Sequence, residues 1–409
     1  MPTRCSEPQP PEFHLVRQIP AAGPRRTTQS TLRSSVSQAI SQTAMLRDDG
    51  VPDEACLMTR DAGSNAEETG QRYTEAPTDL EGLEARMFHQ PVPERLLAHL
   101  QNRYGIDGVA ATQVSVHRAD VFRIDRVDGD PWIARAFPPA RPRAGAEGDA
   151  TILRFLARQD YPAERLAVDD AVSGFEGSSV LVTEFIHGER IPPFTDNMTV
   201  MADLLGRLHA LPLDDTVTRP GGAQGVDPSR EGSPRQDLLA ALALLDAVDT
   251  RVSPKARDRF EQLRDKVRSA DDGDGLPEAL LHGNLPHAPD HVLRTEHGAV
   301  AFNWTASGRG PRLADFAWLM RVSWGDPKLI EPAVDAYCRH VSLTDEELDR
   351  LEEVMYIRPL YLDAFVYRRS VANGHTPGAD VRQFSNRENI RATADATRAA
   401  VRRQPRSAS

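Results

Sequence analysis

Between Ala279 and Arg294 the chain reads ALLHGNLPHAPDHVLR, which gathers His282, His287, His291, one amide and one carboxylate in a short stretch. Histidine is the side chain whose ordinary pKa lies near neutrality. His287 and His291 are therefore candidate general acids or bases in a cleft, against the plainer reading of loop histidines that hydrogen-bond locally. Asn284 is of a different kind: an amide carries no charge, so it orients a hydroxyl but does not take its proton. Asp290 is the acid of the stretch and a candidate catalytic group or metal ligand. His282, His287 and His291 also have a spacing that zinc accepts, without a ligand template to match. Pro286 and Pro289 restrict the backbone between them.

These groups need elements to place them. TDLEGLEARM, opening on a Thr78 cap, and PERLLAHLQNRYG, closing on Gly105, predict two helices. The period then changes. Val114–Val116, Val121–Ile124 and Trp132–Phe137 alternate as strands, with the Asp-Gly of VDGD as a hairpin turn. A helix over GDATILRFLARQD and a strand from Gly177 to Phe185 follow. MTVMADLLGRLHAL, with Val200, Met201, Leu204, Leu205 and Leu208 on one stripe, predicts a helix, and RQDLLAALALLDAV and KARDRFEQLRDKV predict two more. Around Glu296–Gly298 the pattern is that of a small hairpin. LADFAWLMRVSW, LIEPAVDAYCRH and DEELDRLEEVMYIRPLYLDAFVYRRSV predict the closing helices. This gives a mostly disordered extension over 1–75, with a short helix near Val36–Leu46 as an arm that docks. A strand-rich part over 76–190 and a helical part over 191–370 come next, then a polar, Arg-rich tail over 371–409 that either frays or packs back.

Composition bounds the function. A chain of 409 residues, 40% of them apolar, has enough material for two lobes with a sizeable core. A formal net charge of −11 argues against a broad nucleic-acid footprint. Cys5, Cys56 and Cys338 are far apart and form no disulfide or zinc pattern, so a reducing, cytoplasmic compartment is expected. The start lacks the apolar run of a signal peptide, and no stretch reads as a membrane span.

The order VSVHRADVFRI, PWIARAF, SVLVTEFIHGE, LLGRLHAL, LLHGN…HVLR and AFNWTASGRGPRLADFAWL resembles the aminoglycoside phosphotransferase family, over roughly Leu97 to Ser370. The resemblance implies an α+β, two-lobed, protein-kinase-like fold with a small β-rich lobe and a larger helical lobe. It also implies transfer of the terminal phosphoryl group of ATP to a small-molecule hydroxyl, with Mg2+. On that pattern Asn284 stands at the catalytic Asp, and Asn303 at the main metal-binding Asp. His291 matches a second metal-ligand position if two residues are inserted in the loop. Asp315 matches an acid that braces the loop from a helix start. Arg135 takes the place of a phosphate-pairing Lys, with Glu147 or Asp149 as its partner. Arg118 and His117 stand in a nucleotide-covering loop that lacks glycine. Glu184 opens the hinge whose backbone, on to Ile186, receives an adenine-like ring. Arg358 is placed to face the cleft.

Two amides at two carboxylate positions weaken both metal binding and proton removal. Three readings follow: a small-molecule binder without ordinary kinase chemistry, an active ATP-dependent phosphotransferase using Asp290 as substitute acid, and a pseudokinase-like regulatory module. Self-association or a protein partner through the N-terminal arm is compatible with any of them.

Overall fold

Apolar alternation builds the small lobe. In β2 (Asp120–Arg126) Phe122 and Ile124 point into the core while Val121 and Arg123 face partly outward. The computed structural model describes residues 92–116, 119–191, 195–221, 233–285, 291–375 and 384–404. The helices expected at 36–46 and 78–87 lie outside these residues, as do His117, Arg118, His287 and Asp290. Strand β2 belongs to an antiparallel sheet with β1 (Gly108–Val116), β3 (Trp132–Ala136), β4 (Val172–Phe175) and β5 (Ser178–Glu184), in the order β1-β2-β3-β5-β4. Strand β1 begins six residues before the predicted Val114, where Ala110, Ala111 and Thr112 give no alternation to read. Helix α1 (Pro93–Tyr104) ends on Gly105 in the left-handed conformation, as its sequence requires. Helix α2 (Arg143–Arg158) packs on β5 and buries Ala146, Ile152, Leu153 and Leu156.

The larger lobe is mostly helical. In chain order it holds β6 (Glu189–Arg190), α3 (Thr195–His209), α4 (Pro234–Asp246), α5 (Arg257–Arg268), β7 (Glu278–Leu281), β8 (Val292–Thr295), β9 (Gly298–Ala301) and β10 (Gly308–Pro311). Helices α6 (Arg312–Arg321), α7 (Pro327–Cys338), α8 (Asp345–Val354), α9 (Ile357–Ala372) and α10 (Arg387–Arg402) close it. The molecule thus has the two-lobed, kinase-like architecture that the resemblance implies. Strands β8 and β9 form the hairpin expected at Glu296–Gly298, with β6 as a third strand. The long final helix is instead two, α8 and α9, separated at Met355–Tyr356. Pro359 is the reason: it lacks a backbone N–H and is tolerated only within the first turn of a new helix. Past Ala372 the tail packs back. Helix α10 buries Ile390, Thr393, Ala394, Thr397 and Ala400, and both threonine hydroxyls donate to carbonyls one turn earlier. Among the described residues no helix is long and apolar enough to cross a membrane.

A small ladder underlies the loop of interest. Strand β7, which leads into His282, pairs with β10, and the segment Arg219–Gly221 runs along the far side of β10. Arg309 donates its N–H to Arg219 O (2.7 Å) and Gly221 donates to Arg309 O (2.8 Å). The backbones approach so closely that a Cβ on Gly308 would sit 2.3 Å from Pro220 O. Gly308→Ala should therefore destabilise the chain by about 3 kcal/mol, through forced backbone displacement. Gly174→Ala, where a Cβ would meet nothing within 4 Å, should stay within about 0.5 kcal/mol of the parent. Urea unfolding of both variants checks the pair.

Candidate functional site

The His-Gly-Asn turn is held by its backbone. Asp315, in the first turn of α6, accepts from the N–H groups of His282 (2.8 Å) and Gly283 (3.1 Å) through one carboxylate oxygen. Arg358 donates to Gly283 O at 3.2 Å and pairs with Asp237 of α4 at 3.1 Å. Ser307 Oγ donates to His282 O. Gly283 has φ +77°, and a Cβ there would meet Ala306 O at 2.6 Å, so glycine is the residue the turn admits. Asp315 thus braces the loop from a helix start, and Arg358 reaches it from α9. A cavity of about 30 Å³ lies behind the turn, between Asp237, Asp315, Trp318 and Arg358.

His282 is fully buried. Its Nε2 donates to Phe302 O (3.1 Å), which fixes the tautomer, since a carbonyl only accepts. Burial, with the neighbouring His291 ring adding to it, pushes its pKa down to about 3. It is a neutral strut between the turn and the segment that carries Asn303. On the far side of Asp315, His209 bonds Tyr337 Oη through Nδ1 and is likewise pushed down to about 3 by burial and by Arg312. Burial raises the Asp315 carboxyl, against the pull of the Gly283 and His282 N–H groups and of Arg358.

The two candidate metal ligands meet each other. His291 Nδ1 donates to Asn284 O at 2.7 Å, so Nε2 carries the lone pair. The Asn303 amide nitrogen donates to that lone pair at 2.9 Å, and Thr305 Oγ1 donates to the Asn303 amide oxygen at 3.3 Å. Asn303 itself stands in the left-handed region (φ 68°), where asparagine is among the few non-glycine residues at ease. His291 therefore joins Asn284 to Asn303. Of the zinc spacing, His282 Nε2 and both His291 nitrogens are engaged in hydrogen bonds, and His287 lies outside the described residues. Among the described residues no group of three His, Cys, Asp or Glu side chains is placed to hold a metal ion.

Arg135 is a correction. Its partner is neither Glu147 nor Asp149 but Glu164, at 3.3 Å, in the loop after α2. Glu147 pairs with Arg143 one turn away, both side chains more than half exposed. Asp149 is buried between two other arginines: Arg141 grips both its oxygens (2.7 and 2.9 Å) and Arg219 adds a third bond at 2.7 Å. Burial alone would raise Asp149, and the two guanidiniums overcome it and hold the carboxyl below its usual value. Arg219 also donates to Ser307 O, so it ties α2 to the turn beyond Asn303.

Glu164 was not singled out in the sequence, and it is the centre of the site. One carboxylate oxygen takes Arg135 and Thr183 Oγ1 (3.2 Å), while the other accepts the backbone N–H of Asn303 at 2.8 Å. Arg135 and Glu164 are only 5% and 3% exposed. The one signal was an acid set in the apolar run YPAERLAV. At the hinge, the Glu184 side chain is exposed. The backbone N–H groups of Glu184 and Phe185 donate to Arg165 O and Pro131 O.

A family model for the phosphotransferase enzyme family matches residues 111–354. The chain belongs to the phosphotransferase enzyme family. Among solved members of this fold, spectinomycin phosphotransferase, in complex with ADP and spectinomycin, is 13% identical over 76% of this chain and 100% of its own, with a TM-score of 0.50. Macrolide 2'-phosphotransferase from Brachybacterium faecium is 21% identical over 76% of this chain and 99% of its own (TM-score 0.44). A protein described as a putative fructosamine-3-kinase from Thermobifida fusca is 23% identical over 75% and 98% (TM-score 0.44). At such identities the likeness is one of fold. No curated protein matches the chain by sequence.

Membership in the phosphotransferase family implies a magnesium–nucleotide, and the described residues do not fit one. Magnesium takes hard oxygen ligands and usually keeps at least one carboxylate. At the two positions that the resemblance assigns to metal ligands stand an imidazole and a neutral amide, bonded to each other.

His282 gives a test of this packing. Its value is 6.5 in the unfolded chain and about 3 in the fold, so the unfolded chain binds the extra proton between those limits. Stability from this group is complete above about pH 6.5 and falls as the pH drops. Between pH 6 and 4, unfolding free energies should fall more steeply for the parent than for His282→Gln, by about 1.4 kcal/mol per pH unit.

Proposed function

We propose that this chain is a divergent phosphotransferase-like protein that binds a small molecule between its lobes and does not transfer phosphoryl groups from magnesium–ATP. The carrying observation is the hydrogen bond from the Asn303 amide to His291 Nε2. A metal ion at this position would need that nitrogen's lone pair, which already accepts a hydrogen bond. It would also need a carboxylate where a neutral amide stands. Asn284 adds to the case from the other side of His291: its side chain has no basic oxygen with which to deprotonate an acceptor hydroxyl. What remains is a neutral, hydrogen-bonding surface of amide, imidazole and hydroxyl groups. Such a surface suits an uncharged ligand with its own donors and acceptors better than a polyphosphate.

Thermal melting with nucleotides tests the reading. A ligand present at a hundredfold its Kd stabilises the folded state by about 2.7 kcal/mol, which shifts a melting curve visibly. The parent protein should show no magnesium-dependent shift with ATP, and no product with phosphate on a hydroxyl acceptor. In Asn284→Asp/Asn303→Asp, with His291→Asn added to release the internal bond, magnesium-dependent stabilisation by ATP should emerge. Magnesium-dependent binding together with phosphorylated product from the unmodified chain would sink the proposal.

A further inference from the structure

Helices α6 and α9 hold the His-Gly-Asn turn with their first turns, through Asp315 and Arg358. At that end the cavity lies between them, with Ala314, Asp315 and Trp318 on one wall and Ile357 and Arg358 on the other. The walls of a void do not press on each other, so packing at this end does not space the two helices. Further along they are bridged. Asp363, in the second turn of α9, accepts the N–H groups of Phe384 (2.7 Å) and Ser385 (3.0 Å) and the Ser385 hydroxyl. Arg321, the last residue of α6, donates to Phe384 O at 2.6 Å. One stretch of the C-terminal segment thus joins a carboxylate on α9 to a guanidinium on α6, only 8% and 2% exposed. Asn389 extends the grip past α6 by donating to Trp324 O (2.9 Å), and α10 then packs on α6, α7 and α8. We propose that Asp363 and Arg321 are positioning residues for the turn: through Phe384 they fix the spacing of α6 and α9, and with it the place of Asp315 and Arg358 beneath the turn. Helix α6 has ten residues and is a stiff rod of about 15 Å, so a shift at Arg321 is carried to Asp315. This deepens the reading above, and rests on it in taking the turn as one wall of the ligand site.

Amide hydrogen exchange, followed by mass spectrometry on the full-length parent, Asp363→Asn and Ser385→Ala, tests this. Asp363→Asn turns one acceptor oxygen into a donor that meets the N–H groups of the segment, while Ser385→Ala removes only the hydroxyl. In Asp363→Asn the turn amides of His282 and Gly283 should exchange about tenfold faster than in the parent, with those of the β8–β9 hairpin within about twofold. Ser385→Ala should move the turn in the same direction by less. Unchanged turn amides, whatever happens in 384–404, would overturn the proposal, because the bridge would then hold only the tail. Equal acceleration in the turn, the hairpin and the small-lobe sheet would overturn it as well, since that is a loss of global stability. Should Asp363→Asn not fold, Ser385→Ala decides between the same outcomes. The exchange is followed with no ligand or nucleotide present, so its result is independent of magnesium-dependent transfer, which product formation in the parent measures separately.

Discussion

A carboxylate removed from water has to be met by donors on every side it presents, and Glu164 is met by an arginine, a hydroxyl and a backbone N–H drawn from three different segments. Breaking such a pair by removing one partner typically costs about 3–5 kcal/mol, because the survivor is left charged in a poor solvent. The same carboxylate sets where Arg135 lies on the sheet, where the chain turns into Asn303, and how the loop after α2 runs. From Asn303 the connection passes through His291 to Asn284, and from there the turn is held by Asp315 and Arg358. The two lobes are thus joined by a chain of bonds. Polar groups in such a chain lend it direction as well as strength, since each has few alternative partners.

Charge is what the proposed reading turns on. Phosphoryl transfer proceeds mainly by positioning and by electrostatic stabilisation around a highly charged group. The polar groups gathered here satisfy one another: the Asn303 amide meets the imidazole of His291, and the arginine on β3 meets Glu164.

Much of this was legible in the residues. Alternation marked the strands of the small lobe, helical stripes marked the larger one, and the His-Gly-Asn turn with Asp315 could be placed from their order. What escaped has physical reasons. The partner of Arg135 lies 29 residues away in the chain, in a loop where no period operates, and two nearer acids on α2 offered themselves by spacing. Those acids were already engaged with Arg141, Arg143 and Arg219. Strand β10 is too short and too rich in glycine to read as a strand, and its pairing depends on the absence of side chains. Helix α10 buries alanine and threonine instead of large apolar residues, so its inner face lacks the contrast on which a helical stripe is recognised. The break before α9 could have been foreseen from Pro359, whose ring and missing N–H forbid an uninterrupted helix.

The ladder of Arg219–Gly221, β10 and β7 has a consequence for what the segment after Asn303 tolerates. Gly221 and Gly308 approach so closely that a Cβ on Gly221 would lie 2.2 Å from Gly308 O, and one on Gly308 2.3 Å from Pro220 O. Arg219 ties the same segment to α2 through Asp149. Sequence variation in this stretch has to spare both glycines, whatever changes around them.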